Sequence, residues 1–588
     1  MSIAEIKTEI LTAVEVACQK AFDQKPDGLK LEYPPKVEFG DFAVGCFPLA
    51  KQFHQNPAQI AQTLADKIPP SQLISNIQAV GPYLNFKICP HTLFGGIGME
   101  ITEQGGYFRN SSSGNGHRVM VEYVGPNSNK PLHLGHVRNA VLGTAVSNLL
   151  EATSHTVVRA NIVNDRGIHI CKSMLAWKNW AAGATPESTR TKGDHFVADW
   201  YVRYDQEEKK DPTLAQEPPE MLRRWEAGDP EIVKLWKTMN EWVYEGLEQT
   251  YQMLGLKFDV FYYESDTYKL GKDLIDTGLE KGVFFKAENG AVITDLPIDK
   301  FGTNKDGSTK IVTLLRPDGT SLYITQDLGT AKMKFDHYQL DRSIYVVGAE
   351  QDDHFHRLFT LLDMLGFEWA SGCYHLSYGH VNLPEGRMKS REGTVVDADE
   401  LIEEMHQLAA EEIRTRNPEG KLSDDEIQRR GMIIALAAIK FYLLKARPEL
   451  TIEFHPKASI SFDGFTGPYC QYAYARCAGI QRNAQDRELL EVEPDFSLLG
   501  NPEELQLIRT LIQFPEVVEN AARELSPARI CNHLFTIAQT LNQFYHHHPV
   551  LAADNPALAK ARLALINSTS VVLKKGLGLL GIETLEEM

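Results

Sequence analysis

The chain has 588 residues, which is too long for one hydrophobic core, so we expect about three or four domains. Its hydrophobic content of 43% and charged content of 23% are ordinary for a soluble globular protein. No apolar run reaches the ~18 residues of a membrane span, which argues against a membrane protein. The net charge of −18 argues against a nonspecific binder of polyanions, although a local basic face could still contact nucleic acid.

The cysteines and the N-terminus bear on the compartment. The 8 cysteines form no CxxC pair, which favours reduced, buried thiols over disulfides or a zinc knuckle. The first apolar residues alternate with charged ones, namely Glu5, Lys7 and Glu9. This pattern is typical of an amphipathic helix and not of a signal peptide. We therefore expect a cytoplasmic protein without a membrane partner.

Residues 1–112 are predicted to form an N-terminal α/β module. The pattern predicts helices over 3–22 and 57–68 and a strand over 77–88. A stretch rich in serine and glycine at 110–116 indicates a linker, and we place a domain boundary there.

Residues 117–395 are predicted to form a Rossmann-type domain. An apolar strand at 119–124 leads through a loop into a segment with helical spacing, and a second strand follows at 157–163. Two further strands, at 343–348 and 373–378, flank a helix, and this β-α-β unit predicts a parallel sheet. Six of the seven tryptophans fall within about 177–255, which we interpret as a helical insertion.

Residues 396–588 are predicted to form an α-helical bundle. After a first apolar stripe that begins at Leu401, further helices are expected at about 425–446, 467–482, 503–523, 527–547 and 557–575. Gly576 and Gly578 are expected to end the last of them.

The loop between the first predicted strand and helix of the Rossmann domain carries the clearest chemistry. It contains His133, Gly135 and His136 where a helix begins. A helix N-terminus offers free N–H groups and a partial positive charge, and open α/β sheets bind ligands at the carboxyl ends of their strands. We therefore expect a phosphate site. The alternatives are two solvated or packed histidines, or a metal pair that lacks nearby ligands.

A second loop, at 385–394, places a basic cluster between two glycines. Such a loop could clamp a triphosphate, since attack on an α-phosphate is catalysed by positioning and by neutralising the leaving pyrophosphate. The alternative is a solvated basic turn. The cluster reads Arg387, Met388, Lys389, Ser390 and Arg391.

Together these two loops resemble the signature motifs of class I aminoacyl-tRNA synthetases, and the chain is most similar to arginyl-tRNA synthetases over essentially its whole length. The most specific matches are Pro126-Asn127 with Lys130, then 164–167, 323–327 and 467–472. The resemblance implies that 396–588 reads the anticodon and that the N-terminal module touches the corner of the tRNA.

The resemblance also implies the reaction and its ATP site. Arginine would attack the α-phosphate of ATP, and the resulting adenylate would donate its acyl group to the terminal adenosine of tRNA(Arg). His133 and His136 would contact phosphates, Gly135 would leave room for adenine, and the loop with Met388, Lys389, Ser390 and Arg391 would close on pyrophosphate. The adenine pocket would be lined by Tyr378, Gly379, His380 and Val381. Mg²⁺ is expected with ATP, without a visible set of protein ligands.

The second loop departs from the family pattern, because the usual motif is Lys-Met-Ser-Lys and the second lysine is missing here. Members that lack it are thought to use a lysine just before the histidine motif, which is Lys130 in this chain. The alternative is that Lys130 is an ordinary exposed loop residue.

The resemblance further implies an arginine pocket. It assigns Glu122 and Asn127 to the ammonium side, and Tyr323 and Asp327 to the guanidinium, which favours planar carboxylate partners. Gln351 completes the pocket. Each residue taken singly could be a structural polar group.

A tRNA contact is predicted where aromatic and basic residues alternate, since such residues stack on unpaired bases. The residues are Tyr469, Gln471, Tyr472 and Arg476. The alternative for the aromatic residues is the core of the bundle.

Three alternatives to this enzyme are a synthetase for another amino acid, a noncatalytic tRNA-binding relative and an unrelated nucleotidyltransferase. The intact histidine motif, Lys130 and the basic loop argue against the noncatalytic relative. We expect a monomer.

Overall fold

The computed structural model describes residues 3–102, 114–384, 396–416, 420–485 and 493–588. The chain divides into two compact units. The first comprises Met1–Asn110, Ser461–Asn520 and Arg529–Met588, and the second comprises Ser111–Ile460 and Ala521–Ala528. Within the described ranges, no helix is both long and apolar enough to cross a bilayer.

The N-terminal part of the first unit is an antiparallel sheet with helices. Its elements are α1 (Ile3–Phe22), β1 (Leu31–Glu32), β2 (Phe42–Gly45), α2 (Phe47–Phe53), α3 (Pro57–Lys67), β3 (Ile74–Val80), β4 (Tyr83–Ile88) and α4 (Pro90–Thr102). The strand order is β1-β2-β4-β3. The predicted α/β module is confirmed. The single strand predicted over 77–88 is wrong, because Gly81 adopts a φ of 55° and the chain reverses there between β3 and β4.

The second unit is built on a five-stranded parallel sheet. The strands of this unit are β5 (Arg118–Glu122), β6 (Thr156–Val163), β7 (Val260–Tyr263), β8 (Phe285–Lys286), β9 (Val292–Asp295), β10 (Ile311–Leu315), β11 (Arg342–Gly348), β12 (Cys373–Tyr378), β13 (Val381–Asn382) and β14 (Ile452–Glu453). The large sheet has the order β12-β11-β5-β6-β7, and all its pairings are parallel. The predicted Rossmann-type sheet is confirmed.

The helices of this unit cover and extend that sheet. They are α5 (Leu134–Ala152), α6 (Ile168–Trp180), α7 (Pro186–Thr189), α8 (Gly193–Lys210), α9 (Glu217–Glu226), α10 (Pro230–Leu254), α11 (Glu264–Thr267), α12 (Lys272–Glu280), α13 (Ile298–Phe301), α14 (Tyr323–Tyr338), α15 (Asp352–Met364), α16 (Ala398–Arg416), α17 (Asp424–Leu444) and α18 (Pro456–Ser459). The predicted β-α-β unit is confirmed as β11, α15 and β12. Helices α6 to α10 form the predicted insertion between β6 and β7.

The central position of β5 explains its composition. Val119, Met120 and Val121 are each at most 2% exposed, as expected for a parallel strand covered on both faces. Met120 packs in one core cluster with Phe335 of α14. The neighbouring strand β11 sends Tyr345 into a second cluster. Two core clusters, both of which include residues of α14, therefore pack against β5 and β11.

The buried carboxylate of Asp165 attaches the insertion to the sheet. Its Oδ2 accepts hydrogen bonds from Tyr244 Oη at 3.0 Å and Ser265 Oγ at 2.7 Å. Its main-chain oxygen accepts one from Trp236 Nε1 at 2.6 Å. Tyr244 and Trp236 both belong to α10. Asp165, which follows the end of β6, therefore fixes the longest helix of the insertion.

Helices α16 and α17 belong to the second unit, where α17 packs against α5. The predicted boundary at 395/396 and the other domain limits stay predictions. Beyond residue 460 the chain returns to the first unit, apart from Ala521–Ala528. Its helices there are α19 (Gly467–Gln485), α20 (Pro502–Ile512), α21 (Phe514–Arg523), α22 (Ala528–His547) and α23 (Pro556–Leu579).

Two details of these helices differ from the sequence prediction. The helix predicted over 503–523 is two helices, because Pro515, near the start of α21, lacks an N–H group. Helix α23 continues through Gly576, whose added Cβ would lie 2.5 Å from Leu534 Cδ2. This glycine therefore serves close helix packing and does not end the helix.

The N-terminal sheet and the C-terminal helices of the first unit share a buried ion pair. Arg509 Nε donates to Asp41 Oδ1 at 3.1 Å, and each residue is 5% exposed. Asp41 Oδ2 also accepts from the main-chain N–H of Ile88 at 2.7 Å. Removing either partner would leave a buried charge, which typically costs about 3–5 kcal/mol.

Candidate active site

A cleft of about 2590 Å³ lies at the carboxyl ends of the parallel strands, where α/β sheets place their ligands. Most of the predicted site residues line it. They are Glu122, Asn127, Lys130, His133, Gly135, His136, Tyr323, Asp327, Gln351, Tyr378, Gly379, His380 and Val381. The fold thus brings into one cleft residues that are far apart in the sequence.

The predicted basic cluster of Met388, Lys389, Ser390 and Arg391 lies outside the described residues, as does Arg387. The described residues that flank it, Pro384 and Val396, both line the cleft. The role of the cluster stays a prediction.

The loop after β5 is held by side-chain amides. Asn139 Oδ1 accepts from the N–H of Val124 at 2.6 Å, and Asn161 Oδ1 accepts from the N–H of Gly125 at 3.2 Å. Val124 has a φ of 76°, which is unusual and costly for a β-branched residue. The amide of Asn139 therefore fixes a strained turn that directs the chain over the cleft.

His133 and His136 form a capping box at the start of α5. His133 Nδ1 accepts from the N–H of Gly135, and His136 Nδ1 accepts from the N–H of His133, each at 3.1 Å. An Nδ1 that accepts leaves the proton of a neutral imidazole on Nε2. Both rings therefore have Nε2–H available as a donor.

The environment keeps these imidazoles neutral. Burial, with the charge of Lys130, lowers the pKa of His133 to about 4. Burial also holds the pKa of His136 well below its ordinary value, and the charges of His133 and Lys130 act in the same direction. At neutral pH the helix start thus offers two neutral donors beside one lysine, a set suited to an anion.

Gly135 and Lys130 complete this part of the cleft. A Cβ at Gly135 would lie 2.9 Å from Cε1 of His133, so the capping geometry itself requires glycine. Lys130 is exposed at the rim of the cleft, and partial desolvation lowers its pKa. The sequence prediction gave a different reason for the glycine, namely room for adenine, and that reason stays a prediction.

Arg138 holds the main chain that carries the predicted adenine pocket. Its guanidinium is 1% exposed and donates to four main-chain oxygens, at distances from 2.5 to 3.0 Å. The acceptors belong to Gly379, His380, Pro448 and Leu450. A Cβ at Gly379 would lie 2.6 Å from the main chain of Leu450, so the two segments touch closely.

Glu122 lies on β5 at the floor of the cleft. Its Oε2 forms a buried ion pair with Lys334 of α14, which is 2% exposed. The ammonium of Lys334 also lies 4.9 Å from the centre of the Tyr345 ring. Glu122 therefore has one oxygen engaged within the protein, and this lysine partner was not predicted from the sequence.

Asp327 lies one turn into α14, where its Oδ2 and His354 Nε2 are 2.8 Å apart. Tyr323, at the first position of the same helix, is 74% exposed. Gln351 is exposed at the end of a short 3₁₀ turn (Ala349–Gln351) between β11 and α15. These positions place a carboxylate and a phenol on one wall of the cleft.

Glu264 also lines the cleft, and the sequence analysis missed it. Burial, together with Asp165 and Asp327, raises the pKa of Glu264 to about 7, although Arg166 at 3.8 Å acts to lower it. Glu264 directly follows β7, a short strand rich in aromatic residues at 260–263. Recognising that strand as the edge of the sheet could have identified the residue.

The predicted tRNA residues lie on α19, in the first unit. The Arg476 guanidinium lies 4.9 Å from the centre of the Tyr472 ring and 5.2 Å from that of Tyr545, which is 44% exposed. Tyr469 Oη accepts from Asn542 Nδ2 at 2.8 Å. Gln471 is fully buried and donates to the main-chain oxygen of Glu583 at 2.6 Å, so its side chain offers no surface contact in this structure.

Three family models match consecutive parts of the chain. The model described as arginyl tRNA synthetase N terminal domain matches residues 6–88. The model described as tRNA synthetases class I (R), catalytic domain, matches residues 100–453. The model described as DALR anticodon binding domain matches residues 470–588.

Whole proteins are similar to the chain over nearly its full length. It is 41% identical to an arginine–tRNA ligase of Porphyromonas gingivalis, with 100% of both chains covered. It is 42% identical to an arginine–tRNA ligase of Parabacteroides distasonis, with 94% of both covered. The structure of Thermus thermophilus arginyl-tRNA synthetase superposes with a TM-score of 0.78 at 26% identity, covering 99% of this chain and 100% of that one.

Proposed function

The chain belongs to the arginyl-tRNA synthetase family, and from this premise we propose how its cleft carries out arginine–tRNA ligation. The family predicted from the sequence is confirmed, as is the predicted ligase activity. The class I family uses ATP, generally with Mg²⁺. The residues that perform the reaction in this chain are proposals.

The phosphate end of the cleft, defined as Lys130, His133 and His136, would hold ATP. Two neutral Nε2–H donors and one ammonium offer hydrogen bonds and positive charge to phosphate. These donors would act on the α-phosphate and on the pyrophosphate as negative charge develops. Donors fixed in advance in this way stabilise the transition state more than the bound substrate.

The arginine end, defined as Tyr323, Asp327 and Glu264, would hold the guanidinium. Two carboxylates and a phenol can accept several of its five N–H donors in planar geometry. Glu122 and Asn127, on the side nearer β5, would receive the ammonium group. Arginine held between these groups would present its carboxylate to the phosphate end.

Within this arrangement the first step needs no proton transfer. A carboxylate oxygen of arginine attacks the α-phosphorus, the bond to the bridging oxygen breaks, and pyrophosphate leaves. A ribose hydroxyl of the 3′-terminal adenosine of tRNA(Arg) then attacks the acyl carbon, the bond from that carbon to the phosphate oxygen breaks, and AMP leaves with the hydroxyl proton on its phosphate. Lys130 would neutralise charge on the departing pyrophosphate, the task of the lysine that is missing from the second loop.

A magnesium ion would arrive on the phosphates of ATP. The three side chains that define the phosphate end are two imidazoles and an ammonium, which suit an anion and not a hard cation. These three residues therefore supply no ligand for the ion, and the phosphates of ATP would hold it.

We propose a tRNA contact around Arg476, where Tyr469, Tyr472 and Tyr545 offer aromatic faces beside a cation. Gln471 is not part of this contact, because its side chain is buried. By the match to the anticodon-binding model this contact would serve the anticodon, and the N-terminal module would touch the tRNA corner. The monomeric state and the cytoplasmic location stay predictions.

The observation that carries this proposal is the pairing of two neutral histidine donors with a carboxylate wall in one cleft. ATP–pyrophosphate exchange, measured with each amino acid and with or without tRNA(Arg), tests it. We expect exchange with arginine alone among the amino acids, and the comparison with and without tRNA(Arg) shows whether activation requires the tRNA. Exchange that depends on another amino acid, or no exchange with any amino acid, would contradict the proposal.

A further inference from the structure

The segment that follows the second predicted loop is paired with the histidine loop. The N–H of Leu134 donates to Val396 O, and the N–H of Ala398 donates to Leu132 O, both at 2.9 Å. His133 and Asp397 thereby face each other in an antiparallel bridge. The main chain of a phosphate-end histidine is thus aligned by residues 396–398.

Asp399 connects that paired segment to the helical insertion. Its Oδ2 accepts from Lys192 Nζ at 2.6 Å and lies 3.0 Å from His195 Nε2. Its Oδ1 accepts from Thr250 Oγ1 at 2.9 Å. Lys192 and His195 stand at the start of α8 and Thr250 on α10, so a single carboxylate reaches two insertion helices.

The cluster is internally neutralised. Among the described residues, Asp194, His195 and Asp399 form a group that could hold a metal ion. However, Lys192 Nζ lies 2.6 Å from Asp399 Oδ2 and 3.1 Å from Asp194 Oδ2, so the protein provides its own cation. The hydrogen bonds from His195 and Lys192 hold the pKa of Asp399 below its ordinary value, against the effect of burial.

We propose that Asp399 is a positioning residue for arginine activation: through residues 396–398 it holds His133 and His136 at the distance their donors need from the phosphates. Asp397 assists from the same segment, because its Oδ1 caps α16 by accepting from the N–H groups of Asp399 at 2.9 Å and Glu400 at 3.1 Å. The proposal rests on the proposed function. It gives the insertion a direct link to the phosphate end.

The expected effect follows from this geometry. A shift of about 1 Å in a catalytic group can cost about 100-fold in rate. Asp399→Ala should therefore lower kcat of pyrophosphate exchange by about 10- to 100-fold. KM for arginine should change less than about two-fold, since the arginine end lies on other elements. Asp399→Asn keeps an oxygen that accepts from Thr250 and should lose only about five-fold.

The insertion contains a matched control. Lys172 Nζ pairs with Asp205 Oδ1 at 2.8 Å and Glu208 Oε2 at 2.7 Å, in a similarly half-buried setting. It joins α6 to α8, and its ion pairs are with α8 and not with residues 396–399. Lys172→Met removes a lysine–carboxylate cluster of the same kind, and its kcat should stay within about two-fold of the wild type.

The experiment compares wild type, Asp399→Ala, Asp399→Asn and Lys172→Met in the full chain by arginine- and tRNA-dependent exchange, with thermal unfolding as a check of folding. A graded loss in kcat at unchanged KM for arginine, confined to the Asp399 variants, supports the proposal. Equal losses in Lys172→Met, an unchanged kcat, or a parallel rise in KM for arginine would overturn it. Failure of the proposed function would instead appear as inactive wild-type protein, and it would overturn the proposal on Asp399 as well.

Discussion

The two ends of the cleft are built in different ways. The phosphate end takes Lys130, His133 and His136 from one loop, and main-chain hydrogen bonds fix the two rings. At the arginine end, Asp327 and Glu264 lie on separate helices and are 63 positions apart in the sequence. Other side chains position them, since His354 contacts Asp327 and Arg166 lies near Glu264. A site within one loop is specified by local sequence, whereas a site assembled from several elements depends on the whole sheet. The comparison predicts different kinetic consequences at each end.

Lys130→Ala should have the largest effect, because it removes the one full charge of the phosphate end. We expect kcat of pyrophosphate exchange to fall about 1000-fold with KM for arginine little changed. Steady-state exchange measures this. Lys300→Ala, an exposed lysine of the same unit outside the cleft, is the control. Near-normal exchange by Lys130→Ala would remove the lysine from catalysis.

Asp327→Asn should affect binding more than rate. Loss of a charge-assisted contact to the guanidinium costs about 3 kcal/mol, which corresponds to an increase in KM for arginine of about 100-fold. KM for ATP should stay within about two-fold. Asp336→Asn on the same helix, whose carboxylate pairs with Lys332, should leave both constants unchanged. An unchanged KM for arginine in Asp327→Asn would exclude Asp327 from the guanidinium site.

Glu264 should give the arginine end a pH dependence that the phosphate end lacks. A carboxyl group with a pKa of about 7 is about one-tenth ionised at pH 6 and mostly ionised at pH 8. KM for arginine should therefore fall about ten-fold as pH rises from 6 to 8, because the guanidinium binds the ionised form. Glu264→Gln should flatten this profile. Persistence of the same profile in the variant would show that another group titrates.

The same carboxyl group predicts a smaller effect on stability. The folded-state pKa of Glu264 lies above its ordinary value of 4.5, so ionisation destabilises the fold as pH rises through about 7. Glu264→Gln should thus raise the unfolding temperature at pH 8 and leave it nearly unchanged at pH 4. Thermal unfolding at the two pH values measures the difference. A variant less stable than wild type at pH 8 would contradict the assignment.

The two histidines of the phosphate end could be predicted from sequence because their signal is local, whereas Lys130 was assigned only through the family resemblance. A strand, two histidines three apart and a helix start indicate the histidine site without knowledge of the rest of the chain. The structure adds what periodicity cannot show, namely that both Nδ1 atoms are engaged and both Nε2 atoms are free to donate.

At the arginine end, Tyr323 and Asp327 could be predicted only through family resemblance, as could Glu122 and Asn127 beside it. Nothing local marks Lys334 as the partner of Glu122, which lies 212 positions away. His354 and Asp327 meet only because α15 packs beside α14. Glu264 was missed because the short strand before it, β7, was not recognised as the end of the insertion.

The carbonyl-bound guanidinium of Arg138 has a consequence for the accuracy of translation. Lysine has no planar fork and cannot reach four main-chain oxygens at once, so a lysine at this position would leave buried acceptors without donors. If the ligase loaded lysine onto tRNA(Arg), lysine would be incorporated at position 138 of newly synthesised enzyme molecules. Poor discrimination between arginine and lysine would thereby impair newly synthesised enzyme molecules. Accurate choice of arginine therefore preserves the enzyme that makes this choice.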